Sequence, residues 1–207
     1  MPEAIDFENS ASQYMEMPSG KWFYMAAPDF DIEDIAYTLA GQPRFNGTGA
    51  RNQHDHSISV AEHSVRASYM ILTQHNTRVA FYNDRIAALT GLMHDVTEAF
   101  LGDVPGPWKA LLPDFCKLEE YLWGKICEWI NEEYGVTMPL ELPPEMKYID
   151  YRCLFLEARE VMQTQGRDWV MSDAEGVMPT TWDAPLYWWS PAEAEQQFLR
   201  RFYELVS

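Results

Sequence analysis

Asp84-Arg-Ile-Ala-Ala-Leu-Thr-Gly-Leu-Met-His-Asp-Val-Thr-Glu-Ala-Phe100 is the stretch on which the reading of this chain turns. Its apolar residues recur with a helical period, Asp84 has the side chain of an N-cap, and Gly102, Pro105, Gly106 and Pro107 stop the pattern. The spacing predicts a helix from Arg85 to about Phe100 that carries His94, Asp95 and Glu98 among core-forming residues. Glu98 follows His94 by four residues, one turn along the same face. An imidazole with carboxylates suits a borderline or hard divalent cation, and the thiolates of many structural zinc sites are missing from the motif. An adjacent His-Asp pair is not a site by itself, because a single histidine on an apolar helix is commonly a packing residue.

Working outward, the helical period continues through most of the sequence. Asp31 to Ala40 reads as a short amphipathic helix ended near Gly41 and Pro43. Ile58 to Gln74 follows, with Ser59 and Glu62 at capping-box spacing and Val60, Val65, Ser68 and Leu72 on one stripe. Asp114 is placed to cap a fourth helix ending at Gly135, and a fifth starts after Pro143-Pro144 and reaches about Gln165. Ser190, Pro191 and Glu193 supply the N-cap, first-turn proline and N3 acid of a last helix over 191–206. Trp22 to Met25 reads as a brief strand or hairpin arm that does not alter the class. The expectation is an all-α bundle.

Two stretches have no clean period and are candidate walls of a site. Gly41 to Ser57 mixes Gly, Asn, Arg and His, and 167–190 is an aromatic-rich loop with Trp169, Trp182, Tyr187, Trp188 and Trp189. A long aperiodic segment in a compact domain is often a lid or an interface.

Composition bounds what the bundle can do. The chain of 207 residues has room for one substantial core, so 1–207 is expected to be a single domain. Hydrophobic residues at 47% and aromatics at 14% are globular values. No apolar run approaches the ~20 residues of a membrane span, and Met1 to Ser10 does not resemble a signal, so a cytoplasmic location is expected. Cys116, Cys127 and Cys153 lack Cys-x-x-Cys spacing and suit reduced thiols. A formal charge of -17 argues against binding duplex nucleic acid, whereas a small phosphorylated substrate stays open if a bound metal inverts the potential in one pocket.

Two further residues change the weight of the His-Asp pair. His63 lies mid-helix in Val60-Ala-Glu-His-Ser-Val65, and Asp150 lies mid-helix in Met146-Lys-Tyr-Ile-Asp-Tyr151. Three helices therefore each present an ionisable group from a core-facing stripe, where burial demands a partner. Converging in the bundle interior, these groups would form a metal site.

His, then His-Asp, then a distant Asp resembles the ligand pattern of HD-domain phosphohydrolases. Asp31-Ile-Glu-Asp-Ile-Ala, Arg44-Phe-Asn-Gly, Ser59-Val-Ala-Glu-His-Ser-Val65, Leu92-Met-His-Asp-Val-Thr-Glu-Ala and Leu101-Gly-Asp-Val-Pro look like the bacterial and phage branch of 5′-deoxynucleotidases and dATP triphosphohydrolases. The likeness covers roughly residues 19–165. It implies an HD-type helical bundle in which His63, His94, Asp95 and Asp150 hold a divalent ion, whether Co, Zn, Mn, Fe or Mg, with more than one ion in some members. It further implies that Glu98 positions or deprotonates the attacking water and that Asp103 lies beside the sugar or a second metal. Arg44 and Lys109 would meet phosphate oxygens, with Phe45 packing near the sugar. The implied setting is a homo-oligomer in a bacterial or phage-infected cytoplasm, acting on a deoxynucleotide.

The implied reaction is hydrolysis of dATP to deoxyadenosine and tripolyphosphate, or of a deoxynucleoside monophosphate as a 5′-deoxynucleotidase. A bound metal lowers the pKa of water towards ~7, and fixed cations such as Arg44 and Lys109 stabilise spreading phosphoryl charge. The sequence departs from the branch after Gly47, where Thr48-Gly-Ala-Arg-Asn-Gln-His-Asp-His56 makes a longer loop, so His54 and His56 are candidate pocket residues. Phe45 stands where some relatives have Trp. No serine or cysteine nucleophile motif occurs. The rivals are a guanosine-tetraphosphate hydrolase, disfavoured because Ala99 follows Glu98, and a non-catalytic helical binding module.

Overall fold

A computed structural model describes residues 13–49, 57–73, 83–167 and 186–207. A β-hairpin opens the described chain, with β1 (Tyr14–Glu16) antiparallel to β2 (Trp22–Tyr24) and Met15 opposite Phe23. The helices are α1 (Ile32–Gly41), α2 (Val60–Thr73), α3 (Asp84–Met93), α4 (Glu98–Leu101), α5 (Gly106–Lys109), α6 (Pro113–Tyr134), α7 (Pro144–Val161) and α8 (Pro191–Val206). The fold is thus mostly helical. None of the described helices is long and apolar enough to cross a membrane.

Helix α2 sits at the centre, packed on α1, α3, α7 and α8. From Val60 to Ser68 every residue is buried, so this helix has no solvent face there. The expected apolar stripe is correct for Val60, Val65 and Ser68, but Leu72 is 41% exposed, on the side of α2 that also exposes Tyr69, while Met70 and Ile71 stay buried. Phe198 and Phe202 of α8, four residues apart on one face, are fully buried with Ile35, Leu39, Leu89 and Ile126. A second apolar cluster joins α2, α3 and α7 through Met70, Ile71, Ala87, Met146, Ile149 and Cys153.

Several helix ends match their signals. Asp31 caps α1 by accepting from the Glu33 amide. Ser190 and Glu193 form a reciprocal capping box at α8, and Gly135 takes the left-handed conformation, φ 67°, that ends α6. Other ends differ. Asn83, not Asp84, caps α3, accepting from the Ile86 amide. At α6 Pro113 begins the helix, and Asp114 lies inside the first turn, 2.8 Å from Lys117. Helix α7 stops at Val161 rather than near Gln165, and the chain reverses through Gln165 and Gly166, both at positive φ.

The main correction concerns the expected helix from Arg85 to Phe100. It breaks after Met93, and the chain passes to α4 through tight turns in which Val96 donates to Met93 and Glu98 donates to Asp95, each at 3.0 Å. These three-residue spacings overwind the backbone relative to an α-helix, which re-aims adjacent side chains. Trp22 to Met25 is realised as the second arm of the hairpin. His54, His56, Trp169 and Trp182 lie outside the described residues.

Gly91 allows α3 to close on α2. A Cβ at that position would stand 3.0 Å from both the Ala67 carbonyl oxygen and the Ser68 Cα. Alanine gains about 1 kcal/mol of helix propensity over glycine, but overpacking of this kind costs ~1–3 kcal/mol. Gly91→Ala is therefore expected to lower the urea midpoint at unchanged m value. A raised midpoint would show that the two helices part without cost.

Candidate metal centre

Three elements bring the site together. Helix α2 is anchored at its start by Ser59, whose Oγ accepts from the Glu62 amide at 3.1 Å, and His63 follows on its buried side. The entering chain is tied alongside, with Arg44 N donating to Ile58 O at 2.8 Å and Val60 N donating to Gln42 O at 3.0 Å. His94 is the C-cap of α3, and the break that follows brings Asp95 to the same point as His94. Helix α7 contributes Asp150.

One atom from each of His63, His94, Asp95 and Asp150 lies within 4.8 Å of the others. The Nε2 atoms of His63 and His94 are 3.2 Å apart. Asp95 Oδ2 is 3.4 Å from the first and 3.3 Å from the second, and Asp150 Oδ1 is 3.2 and 3.8 Å away. The outer ring nitrogens are already engaged. His63 Nδ1 meets Glu157 Oε1 at 2.8 Å, and His94 Nδ1 meets the Gly91 carbonyl at 2.9 Å. A carbonyl and an ionised carboxylate only accept, so each Nδ1 carries its ring's proton and each neutral ring turns an Nε2 lone pair inward. Two lone pairs and two carboxylate oxygens then share one buried space. Such a donor set is stable only around positive charge, and its composition fits a divalent cation.

The titration of these groups reports the same demand. Burial opposes charging of His94, but Asp95 and Asp150 outweigh it and lift its pKa to about 9. For His63, burial and Arg44 both oppose protonation, yet Glu157, Asp150 and Asp95 carry its pKa well above the usual imidazole value. Burial would raise Asp95 and Asp150, but the two histidines hold both below the usual carboxylate range. Without a metal, ring protons supply the missing positive charge.

Of the other expected site residues, Arg44 contacts this cluster directly, and Glu98, Lys109, Phe45 and Asp103 are tied to the cluster or to the turn that carries Arg44. Arg44 is 7% exposed, with Nη1 3.3 Å from Asp95, Nη2 3.9 Å from Asp150 and Nε 3.5 Å from Glu157. It therefore acts here as a counter-ion to the acidic groups. Phe45 and Asn46 follow it at φ 58° and 50°, left-handed values that non-glycine residues seldom adopt, and the Phe45 ring lies 5.8 Å from the guanidinium. Asp103 supports that turn by accepting from the Asn46 amide at 3.2 Å, and it is not one of the four clustered acceptors.

Glu98, 4% exposed, lies at the start of α4, with Oε2 meeting no hydrogen-bond donor among the described residues. Burial and the charge of Asp95 push its pKa well above the ordinary value, against the pull of Arg44 and Lys109. Its carboxyl therefore binds a proton more readily than an ordinary glutamate, which suits it to general-base work. Lys109 Nζ stands 3.7 Å from Glu98 Oε1 and 2.7 Å from Glu119. Burial pushes the Cys153 thiol up to about 12, which removes it as a thiolate nucleophile.

Beside the site, sequence reasoning missed two buried acids among the described residues. Glu157, fully buried, was detectable as the residue two turns beyond Asp150 on the same side of α7. Glu62 was read as half of a capping box, but its carboxylate instead accepts from the amides of Tyr187, Trp188 and Trp189 at 2.9, 3.2 and 2.9 Å. The end of the aromatic segment is thereby clasped to α2, next in sequence to His63. No local signal marks a partner 125 residues away.

A pH dependence follows for metal-free protein. His94 has a raised folded pKa, so its contribution is complete below the unfolded value of ~6.5 and is lost as pH rises through about 9. The lowered carboxylates stabilise above their unfolded values near ~4, and that contribution is lost as pH falls. Thermal melts in a chelator should therefore show a maximum at mildly acidic pH and a falling alkaline limb, which Mn²⁺ or Zn²⁺ flattens. An alkaline limb that is flat without metal would contradict the charge assignment.

No family model matches the chain. It is 29% identical over 157 residues to an uncharacterized protein of Rhodobacter capsulatus, covering 72% of each. Over 190 residues it is 34% identical to YfdR, an uncharacterized protein of Escherichia coli K12, and the match spans 90% of this chain and 92% of that one. At that identity and coverage, the chain belongs to the family of Escherichia coli YfdR.

Proposed function

We propose that this protein is an HD-type, metal-dependent phosphohydrolase acting on deoxynucleotide phosphates. The observation that carries this reading is the inward convergence of two imidazole nitrogens and two carboxylate oxygens from three elements, within 4.8 Å of one another. A divalent cation held there would supply Lewis-acid polarisation of a phosphoryl oxygen and a water acidic enough to lose its proton near neutral pH. The resemblance in sequence narrows the choice to a deoxynucleotide.

The chain's own residues divide the remaining work. His63, His94, Asp95 and Asp150 bind the cation. Glu98, buried beside Asp95 and with Oε2 meeting no donor among the described residues, takes the proton of the attacking water. Arg44 lies against the ligand carboxylates, so a phosphate drawn to the cation meets a planar guanidinium next to it. Lys109 reaches Glu98 and places a second fixed positive charge at the pocket. With dATP, water attacks the α-phosphorus and the bond to the sugar's 5′-oxygen breaks. Deoxyadenosine leaves with a proton on that oxygen, and tripolyphosphate remains. The resemblance also supports a cytoplasmic homo-oligomer.

The roles separate experimentally. His94→Ala and Asp95→Asn should abolish turnover and lose bound metal while helical content persists. Glu98→Gln should keep the metal and lose turnover by ~100-fold or more, as removal of a general base does. Parallel loss of metal would make Glu98 a ligand instead.

The substrate is tested by incubating purified protein with dATP, dAMP, ATP and dGTP separately across several divalent metals. Tripolyphosphate from dATP marks a triphosphohydrolase, and orthophosphate from dAMP alone marks a 5′-deoxynucleotidase. Equal turnover of ATP and dATP would refute selection at the sugar, and no turnover at all would leave a metal-holding binding module.

A further inference from the structure

We propose that Glu157 is a positioning residue of the metal centre: it orients His63 through Nδ1 so that Nε2 points at the cation, and tunes the strength of that ligand. The inference rests on the metal-binding reading above.

The geometry separates this role from that of a structural ion pair. Glu157 is fully buried between two arginines, with Arg66 Nε 3.8 Å from Oε1 and Arg44 Nε 3.5 Å from Oε2. Both distances exceed those of a well-formed N–H···O bond, whereas the contact to His63 Nδ1 is 2.8 Å. The short contact goes to the imidazole, and the two guanidiniums flank the carboxylate at longer range. An ionised acceptor on Nδ1 does more than fix the tautomer, because it also makes the opposite nitrogen a stronger electron-pair donor.

Helix α7 thus holds the His63 ring at both nitrogens. Asp150 stands 3.2 Å from Nε2, and Glu157, two turns later, stands at Nδ1. The two histidines also differ in kind. His94 is oriented by the backbone carbonyl of Gly91, which no side-chain change removes, whereas His63 depends on a side chain. Glu157 has an electrostatic part as well. Its charge offsets that of Arg44, whose guanidinium lies against Asp95 and would otherwise weaken the pocket's attraction for a cation.

The experiment uses full-length wild type, Glu157→Gln and Glu157→Asp. Zn²⁺ affinity is measured by competition with a chromophoric chelator, alongside ¹⁵N spectra of the imidazoles and melting of the metal-free forms. Glu157→Gln is expected to lose about 10–100-fold in affinity, with the His63 resonances displaced and those of His94 little changed. Glu157→Asp keeps the charge but is one methylene short, so it should fall between. Wild-type affinity in both variants, whatever their melting temperatures, would overturn the proposal. Should the variants not fold, the wild-type spectrum decides: a slowly exchanging His63 Nδ1 proton in the Zn²⁺ form supports it, and a freely exchanging one overturns it. If wild type takes up no divalent cation, the metal-binding reading falls and this inference with it.

Discussion

Two imidazole nitrogens 3.2 Å apart, each with its ring proton committed elsewhere, cannot remain in a buried space with two carboxylates unless positive charge lies among them. The surrounding structure serves that constraint. Helix α2 must be enclosed for His63 to be buried, α3 must break for His94 and Asp95 to face one point, and α7 must lie close enough to deliver Asp150. Arg44, held beside α2 by backbone pairing at Ile58, supplies permanent positive charge from one side. The remainder is left to whatever occupies the pocket, whether ring protons or a metal.

The helices were legible because their causes are local. The cap at Ser190, the glycine that ends α6 and the prolines opening α7 and α8 all act within one turn of chain. The quartet of His63, His94, Asp95 and Asp150 was legible for a different reason. Ionisable residues on core-facing stripes are costly, and three such stripes with compatible ligand chemistry point to a common centre. The structure brings all four together as expected.

What sequence did not reveal depends on tertiary contact. The break after Met93 was hidden because a helical apolar period continues through Val96, Ala99 and Phe100. Apart from its two-turn spacing from Asp150, Glu157 within Leu156-Glu-Ala-Arg-Glu160 resembles an ordinary surface acid until α2 and Arg44 are packed against it. Arg44 also faces three carboxylates, a setting that sequence did not reveal because it depends on residues as far along the chain as 157. Asp103 stabilises the turn that carries Phe45 and Asn46, and only the fold reveals that arrangement.

The neighbouring positions of Glu62 and His63 make α2 a shared spindle. One side chain clasps the backbone at Tyr187, Trp188 and Trp189, while the next enters the acceptor pocket. Successive residues of an α-helix are set about 100° apart, so their relative bearing is invariant while the helix stays intact. Rotation or a one-residue slip of α2 would withdraw His63 and break the contacts to Tyr187, Trp188 and Trp189 together. The clasp is therefore a register pin: these three amides, through Glu62, hold the azimuth of the histidine beside it.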